Sequence, residues 1–173
     1  MTVNIELKAK VHDIDGIRNR LEKISEKDAV KIYQEDIFFN AVRGRLKLRT
    51  FSDGKGELIY YLRNDSAGPR RSDYAIFNTD APETLKNILE LALGIRGVLK
   101  KNRLLYLVGN TRIHLDEVEN LGLFIEIEVV LNPEQTEKDG KAIADNLIAE
   151  LKIDKKDLID VAYIDLLLNN FSL

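Results

Sequence analysis

The chain has 173 residues, of which 45% are hydrophobic and 32% are charged. This length and composition exclude a disordered protein and allow one domain with a sizeable apolar core. A formal net charge of −3 argues against a general nucleic-acid binder, which is normally basic. Cysteine is absent, which excludes disulfides, thiolate metal sites and a cysteine nucleophile.

No stretch of the sequence approaches the roughly 20 consecutive apolar residues that a membrane-spanning helix requires. Met1 leads directly into a strand pattern, without a segment typical of a signal peptide. We therefore expect a soluble, cytoplasmic protein with no membrane partner, organised as a single domain over residues 1–173.

Eight segments predict β-strands, because apolar and polar residues alternate in them or because β-branched and aromatic residues are concentrated there. In chain order they cover residues 3–11, 33–40, 43–51, 56–64, 71–78, 98–108, 111–118 and 123–131. Turn residues separate several neighbours, including the cluster at 52–56 and the Gly109-Asn110 pair. The tight turns indicate a mostly antiparallel sheet.

Four helices are predicted between and after these strands. They cover residues 13 to about 26, 80 to 94, 132 to about 151, and a closing segment after 154. Asp13 and Asp80 are the expected caps of the first two helices, and Gly94 is the expected end of the second.

Charge on the polar faces of the strands is sorted by sign. Residues i and i+2 of a strand point to the same face, about 6.5–7 Å apart. One strand therefore carries four cations on one face: Arg43, Arg45, Lys47 and Arg49. A late strand carries Glu126 and Glu128 on one face, and paired carboxylates suit a hard divalent cation. Cations together with a metal ion are what a polyphosphate requires.

Two architectures fit strands with one apolar and one charged face. An open sheet would expose the charged face to water, whereas a closed barrel would turn it inward beneath helices that cover the apolar face. The sorting of charge by sign favours the barrel, because a solvated face would mix both signs. We expect an α+β fold: a closed eight-stranded antiparallel β-barrel with helices packed outside.

Five segments also carry short patterns in a fixed order. They read NIELKAK at 4–10, QEDIFF at 34–39, RLKLR at 45–49, VLKKNRLLY at 98–106 and HLDEVENLGLFIEIE at 114–128. In this order they resemble the ExExK, QxDxYF, RLKLR, VxxKxR and LDxVxxLGxFxExE motifs of the CYTH domain, or triphosphate tunnel metalloenzyme, family. The chain is most similar to members grouped with class IV adenylyl cyclases. Thiamine triphosphatases and inorganic tripolyphosphatases belong to the same family.

The resemblance implies roles for individual residues. The implied ligands of Mg²⁺ or Mn²⁺ are Glu6, Asp116, Glu126 and Glu128. The implied phosphate-binding cations are Lys8, Lys10, Arg45, Lys47, Arg49, Arg63, Arg70, Lys101 and Arg103. The implied catalytic set is Glu6, Lys8, Arg49 and Lys101. The chain departs from the family pattern at Asn4, which replaces a glutamate, so we expect one tight metal site and at most a loose one near Glu6.

Three functions remain open at this point. The first is a class IV adenylyl cyclase-like conversion of ATP to cyclic AMP and pyrophosphate. The second is hydrolysis of tripolyphosphate, thiamine triphosphate or a nucleoside triphosphate, and the third is binding of such a ligand without catalysis. The expected partner is a small triphosphate and not a nucleic acid, and the protein is expected to be a monomer or homodimer. Phe38 and Phe39 are interpreted as packing residues, and His114 as a residue at the tunnel mouth or surface.

Overall fold

The computed structural model describes residues 2–63 and 67–170. These residues form nine strands and four helices. The strands are β1 Thr2–Lys10, β2 Val30–Phe39, β3 Arg45–Phe51, β4 Gly56–Arg63, β5 Arg70–Thr79, β6 Ile95–Val108, β7 Thr111–Val118, β8 Gly122–Val130 and β9 Leu158–Ile159. The helices are α1 Ile14–Ile24, α2 Pro82–Leu93, α3 Glu137–Glu150 and α4 Tyr163–Asn170. Among these helices, none has the length and hydropathy needed to span a membrane.

Eight strands close into a barrel. They pair antiparallel in the order β5-β4-β3-β2-β6-β7-β8-β1, and β5 pairs again with β1, where Glu6 lies opposite Arg70. The ninth strand is a short addition at the far end of β1, where Ile159 lies opposite Lys8. The closed eight-stranded antiparallel barrel predicted from charge sorting is confirmed.

Alternation along each strand separates an apolar outer face from a polar inner face. On β1, Ile5, Leu7 and Ala9 are fully buried in the outer core, whereas Glu6 and Lys8 line the barrel interior. Because side chains alternate between faces, the same nine residues supply both the core and the site.

Helix α3 packs directly against β1. A side chain at Gly140 would bring its Cβ within 2.6 Å of both Ile5 and Leu131, so the absence of one lets the helix approach the strand. On another side of the barrel, Leu85 and Leu89 of α2 pack against the cluster that contains Phe39.

The last helix, α4, closes one end of the barrel. Its Tyr163 and Ile164 join the inward-facing Phe38 and Phe124 in one buried cluster. Ile164 is fully buried. A Cβ atom at position 97 would lie only 2.6 Å from its Cδ1 atom, so the glycine there leaves room for the Ile164 side chain. The interpretation of Phe38 and Phe39 as packing residues agrees with their burial at 5% and 3% exposure.

Several element ends differ from the predictions. Ala81, not Asp80, is the N-cap of α2 and makes no side-chain cap bond. Helix α3 begins at Glu137 after a Thr136–Asp139 capping box, because the preceding residues form a turn. The closing helix begins only at Tyr163, since the apolar pair before it is used in β9. Asn64, the predicted last residue of its strand, lies outside the described residues.

Replacement of Ile164 by alanine tests the closure of the barrel by α4. We expect Ile164→Ala to lower the free energy of unfolding by about 2–5 kcal/mol, because it leaves a cavity in a fully buried cluster. Leu91→Ala, at a position 90% exposed on α2, is the control and should change it by less than about 0.5 kcal/mol. Urea unfolding of both variants is the measurement, and equal effects would contradict the closure.

Candidate functional site

The barrel interior contains a cavity of about 320 Å³, a size found for small-molecule sites. Among the described residues, six cations line it: Lys8, Lys47, Arg49, Arg63, Arg103 and Arg112. Four carboxylates line it as well: Glu6, Glu57, Glu126 and Glu128. Strand β3 contributes only cations to the lining, Lys47 and Arg49, and strand β8 contributes only carboxylates, Glu126 and Glu128, whereas β1 and β4 contribute both signs. We call the wall around β3 the basic side of the cavity and the wall around β8 the acidic side.

Asp36 organises the basic side. This carboxylate is 1% exposed and accepts hydrogen bonds from Lys47 Nζ at 2.9 Å and from Arg49 Nε at 2.8 Å. Lys101 Nζ lies 3.6 Å away. Burial alone would raise the pKa of the Asp36 carboxyl, but the three cations hold it well below its ordinary value. Asp36 thus keeps like charges together on one wall of the cavity.

Lys101 lies behind this wall, 4% exposed and stacked over the Tyr163 ring at 5.6 Å. Burial, followed by the charge of Arg103, lowers the pKa of Lys101 to about 7. Its ammonium therefore titrates in the neutral range, unlike that of an exposed lysine. An incoming polyanion would stabilise the charged form.

Arg103 links the two sides of the cavity. It donates two hydrogen bonds to Asp116, at 2.7 and 2.6 Å, and one to Glu126 at 2.7 Å. Burial would raise the pKa of Asp116, yet Arg103 above all lowers it to about 2. Tyr163 Oη donates a further bond to Asp116 at 3.2 Å. Asp116 is therefore held by the Arg103 guanidinium and by Tyr163 of α4, the helix that we call the plug because it closes this end of the barrel.

A candidate cation site lies on the acidic side. One ligand atom from each of His114, Glu126 and Glu128 falls within 4.8 Å of the others. Burial and then Arg103 lower the pKa of His114, which keeps its ring neutral and able to bind a metal. Carboxylate oxygens with one imidazole nitrogen fit a divalent cation such as Mn²⁺, and Mg²⁺ through the oxygens. The interpretation of His114 as a mouth or surface residue is wrong, because it alternates with Asp116 on the inner face of β7 and is 4% exposed.

The other two predicted metal ligands lie outside this cluster. Glu6 is opposite Glu128 in the barrel, but it accepts a hydrogen bond from Arg63 at 2.7 Å. Asp116 is bound by Arg103. The structure thus brings Glu126 and Glu128 together with a histidine that the sequence analysis did not select.

The remaining predicted cations divide into three groups. Lys8 donates to Glu126 inside the cavity. Arg45 donates to Asp165 of α4 at 3.0 Å. Arg70 donates to the carbonyls of Ile159 and Asp160, in the segment that precedes α4. Lys10 is exposed and does not line the cavity, which contradicts the expectation that it points inside. The pairing of β1 with β5 ends at Glu6 and its pairing with β9 ends at Ala9, so Lys10 lies beyond the closed wall.

Sequence reasoning missed three residues of the candidate site, although the sequence contains a pattern that points to each of them. Asp36 lies two residues from Gln34 on the inner face of β2, within a recognised motif. His114 and Arg112 lie two and four residues before Asp116 on β7, so they share its inward-facing side of the strand, and both line the cavity. Arg112 donates to Glu128 at 3.0 Å, which adds a cation to the acidic side.

Comparison with known proteins agrees with this arrangement. The model of the CYTH domain family matches residues 3–163, and the chain belongs to that family. Members of the family bind triphosphate substrates and depend on a metal ion. The predicted family membership is confirmed.

Individual relatives cover nearly the whole chain. A Methanocaldococcus jannaschii protein, provisionally named as an adenylate cyclase, is 27% identical over 95% of this chain and 98% of its own. The structure of the PH1012 protein from Pyrococcus horikoshii is similar with a TM-score of 0.84, 26% identity, and coverage of 94% and 98% of the two chains. A Hippeastrum protein described as having a dominant triphosphatase activity shares the fold, with a TM-score of 0.70, 15% identity, and coverage of 100% and 98%.

The lowered pKa of Lys101 predicts an effect on stability. Lys101→Met replaces a buried ammonium by an apolar chain, while Asp36 keeps Lys47 and Arg49 as partners. In the parent protein, the unfolded chain holds this proton up to pH 10.5, whereas the folded chain releases it near pH 7. Burial of the charged Lys101 therefore lowers the parent's free energy of unfolding by its full amount below pH 7. This destabilisation disappears as the pH approaches 10.5. We expect Lys101→Met to be more stable than the parent at pH 7, with a gap that shrinks by up to about 1.4 kcal/mol per pH unit above it.

Urea unfolding at several pH values between 7 and 10.5 measures this gap. The control is Lys100→Met at the neighbouring position, which points outward and has a side chain 45% exposed. It should show no comparable dependence on pH. A gap for Lys101→Met that stays constant with pH would contradict the lowered pKa.

Proposed function

We propose that this chain is a metal-dependent enzyme of the class IV adenylyl cyclase type, which binds ATP inside the barrel and forms cyclic AMP and pyrophosphate. The observation that carries the proposal is a cavity inside the closed barrel in which cations face a carboxylate–imidazole cluster. The relative from Methanocaldococcus jannaschii supports a cyclase in particular. Hydrolysis of the triphosphate is the second candidate, favoured by the activity described for the Hippeastrum protein of the same fold.

The cations would neutralise and orient the phosphates. A fully ionised triphosphate ester carries about four negative charges, with the last ionisation near neutral pH. Arg49 can contact phosphate oxygens with two parallel N–H groups, while Lys47 and Lys101 supply point charges. Asp36 positions these three side chains without itself contacting the ligand, so their geometry is prepared before binding.

The acidic side would hold the metal ion. His114, Glu126 and Glu128 would hold Mg²⁺ or Mn²⁺, and the ion would supply positive charge that offsets the negative charge of the phosphates. Lys8, which donates to Glu126 in this structure, would be free to turn toward a phosphate if a cation neutralised that carboxylate, whereas Arg103 would still be held by its two hydrogen bonds to Asp116. Glu6 could bind the metal ion only if its hydrogen bond with Arg63 broke, and Asp116 only if its hydrogen bonds with Arg103 broke.

Product analysis tests the proposed reaction. Purified protein is mixed separately with ATP, tripolyphosphate and thiamine triphosphate, each with Mg²⁺ or Mn²⁺. We expect cyclic AMP and pyrophosphate from ATP, because the cavity can hold the phosphates and the metal while the ribose 3′-oxygen attacks the α-phosphorus. Orthophosphate as the main product would refute the cyclase function and support hydrolysis of the triphosphate. Binding without turnover would refute both enzymatic functions.

Glu126→Gln tests the metal site. The substitution keeps the side-chain volume but removes one negative charge from the candidate cation cluster. We expect turnover at limiting Mn²⁺ to fall by about 100-fold or more, because groups that only orient a metal ligand already contribute about 10- to 100-fold. Calorimetry should find one tight Mn²⁺ site per chain in the parent and none in the variant.

Glu117→Gln is the matched control, since Glu117 is an exposed carboxylate on the outer face of the same hairpin. It should keep both the Mn²⁺ site and the turnover. Two equally tight Mn²⁺ sites in the parent would refute the single site expected from Asn4 and from the Glu6–Arg63 pair.

A further inference from the structure

Oxygen atoms of two neighbouring strands meet on the cavity wall beside the candidate cation site. Asn4 and Glu6 lie two residues apart on β1, so both side chains point inward. Ser72 of β5 lies opposite Asn4 in the sheet, and all three residues line the cavity. We call Asn4, Glu6 and Ser72 the oxygen cluster. Carboxylate and amide oxygens are ligands of hard divalent cations, and a serine hydroxyl can bind Mg²⁺.

The oxygen cluster contains a buried acceptor that no donor satisfies. Asn4, Glu6 and Ser72 are 3%, 7% and 2% exposed. The carbonyl oxygen of the Asn4 side chain has no hydrogen-bond partner among residues 2–63 and 67–170. Most buried polar atoms in proteins are paired, so an oxygen left without a donor inside a polar cavity points to a group that can approach it.

A guanidinium already supplies positive charge to this cluster. Arg63 of β4 lies opposite Ser72 in the sheet, and its Nη1 donates a hydrogen bond to Glu6 Oε1 at 2.7 Å. The side chains of Arg63 and Glu6 are 1% and 9% exposed. Burial alone would lower the pKa of Arg63, but Glu6 raises it above its ordinary value. The guanidinium therefore keeps its charge at every pH at which the protein is folded.

Arg63 and a divalent cation would compete for the same carboxylate. Glu6 lies opposite Glu128, which belongs to the candidate cation site, so an ion on Glu6 would be the second one in this part of the cavity. That ion would approach a buried guanidinium, and like charges repel strongly where water is excluded. Asn4 brings no negative charge that could offset the dehydration of the ion. The Glu6–Arg63 pair therefore excludes it.

We propose that Arg63 is a built-in substitute for a second metal ion, whose guanidinium occupies the position on Glu6 that a divalent cation would take if the arginine were absent. The oxygen cluster is then a latent cation site. Its positive charge is covalently fixed, so it does not depend on the metal concentration. The proposal rests on the proposed function only for the first ion, which belongs to the cluster of His114, Glu126 and Glu128.

Counting bound Mn²⁺ tests the proposal, by calorimetry and by the electron paramagnetic resonance signal of free Mn²⁺. Arg63→Met keeps a long side chain but removes the charge, and it should raise the number of bound ions per chain from one to two. The second ion should bind with a dissociation constant of about 0.1–1 mM, the range of weak oxygen-ligand sites. Mn²⁺ should also raise the Tm of Arg63→Met more than that of the parent, since the ion replaces the lost partner of the buried Glu6.

Three matched variants show whether the charge on Arg63 is the cause. Arg63→Lys keeps that charge and should still bind one ion. Arg49→Met removes a different cation from the cavity, while Asp36 keeps its hydrogen bond from Lys47, and it should also bind one ion. Adding Glu6→Gln to Arg63→Met should remove the second ion again.

Glu6→Gln alone is a test that does not require Arg63→Met to fold. It should change the Mn²⁺ affinity of the parent less than about 3-fold, below the 10- to 100-fold cost of losing a group that supports a metal site. A loss of 10-fold or more, two ions in the parent, or one ion in folded Arg63→Met would each overturn the substitution by Arg63. The proposed function fails separately, if the parent binds no Mn²⁺; one more ion in Arg63→Met than in the parent would still support the latent site.

Discussion

Charged side chains inside a closed barrel lose the water that would otherwise solvate them, and the interior of this protein is arranged around that cost. Asp36, Asp116 and Glu126 are each almost fully buried and each lies against cations. A buried ion pair is close to neutral for stability, but removing one partner leaves an uncompensated charge. The carboxylates therefore hold the cations in place inside the barrel.

The free energy for this arrangement comes from the other face of the same strands. Ile5, Leu7, Ile125 and Ile127 are fully buried between the barrel wall and the helices outside it. Burial of such side chains is the main favourable contribution to folding, worth about 1.5–3 kcal/mol each. The apolar outer core can thus offset the cost of burying charged side chains in the interior.

The two ends of the barrel are not equivalent. At one end α4 supplies Tyr163 beneath the cations and Asp165, which binds Arg45 at 3.0 Å and Arg96 at 2.7 Å. At the other end the inner face carries both apolar side chains, such as Phe51 and Leu105, and charged ones, such as Arg112 and Glu128.

The sequence by itself determined the strands, their alternation and the identity of most cations on the inner face. These features depend on local periodicity, which is written in neighbouring residues: Lys47 and Arg49 share a face because they are two residues apart. The recognised motifs also selected Glu126 and Glu128 correctly as neighbours on one strand. Helix ends were less accurate, as at Tyr163, because capping and β9 depend on contacts with distant strands.

Only the tertiary structure decided which side chains meet across strands. Asp36 gathers its cations, Glu6 is bound to Arg63, and His114 joins the glutamates because long-range register brings those strands together. Lys10 lies outside the cavity because the pairing of β1 with β5, and then with β9, ends before it. Register and closure are properties of the whole barrel, so no local pattern could have specified these partners.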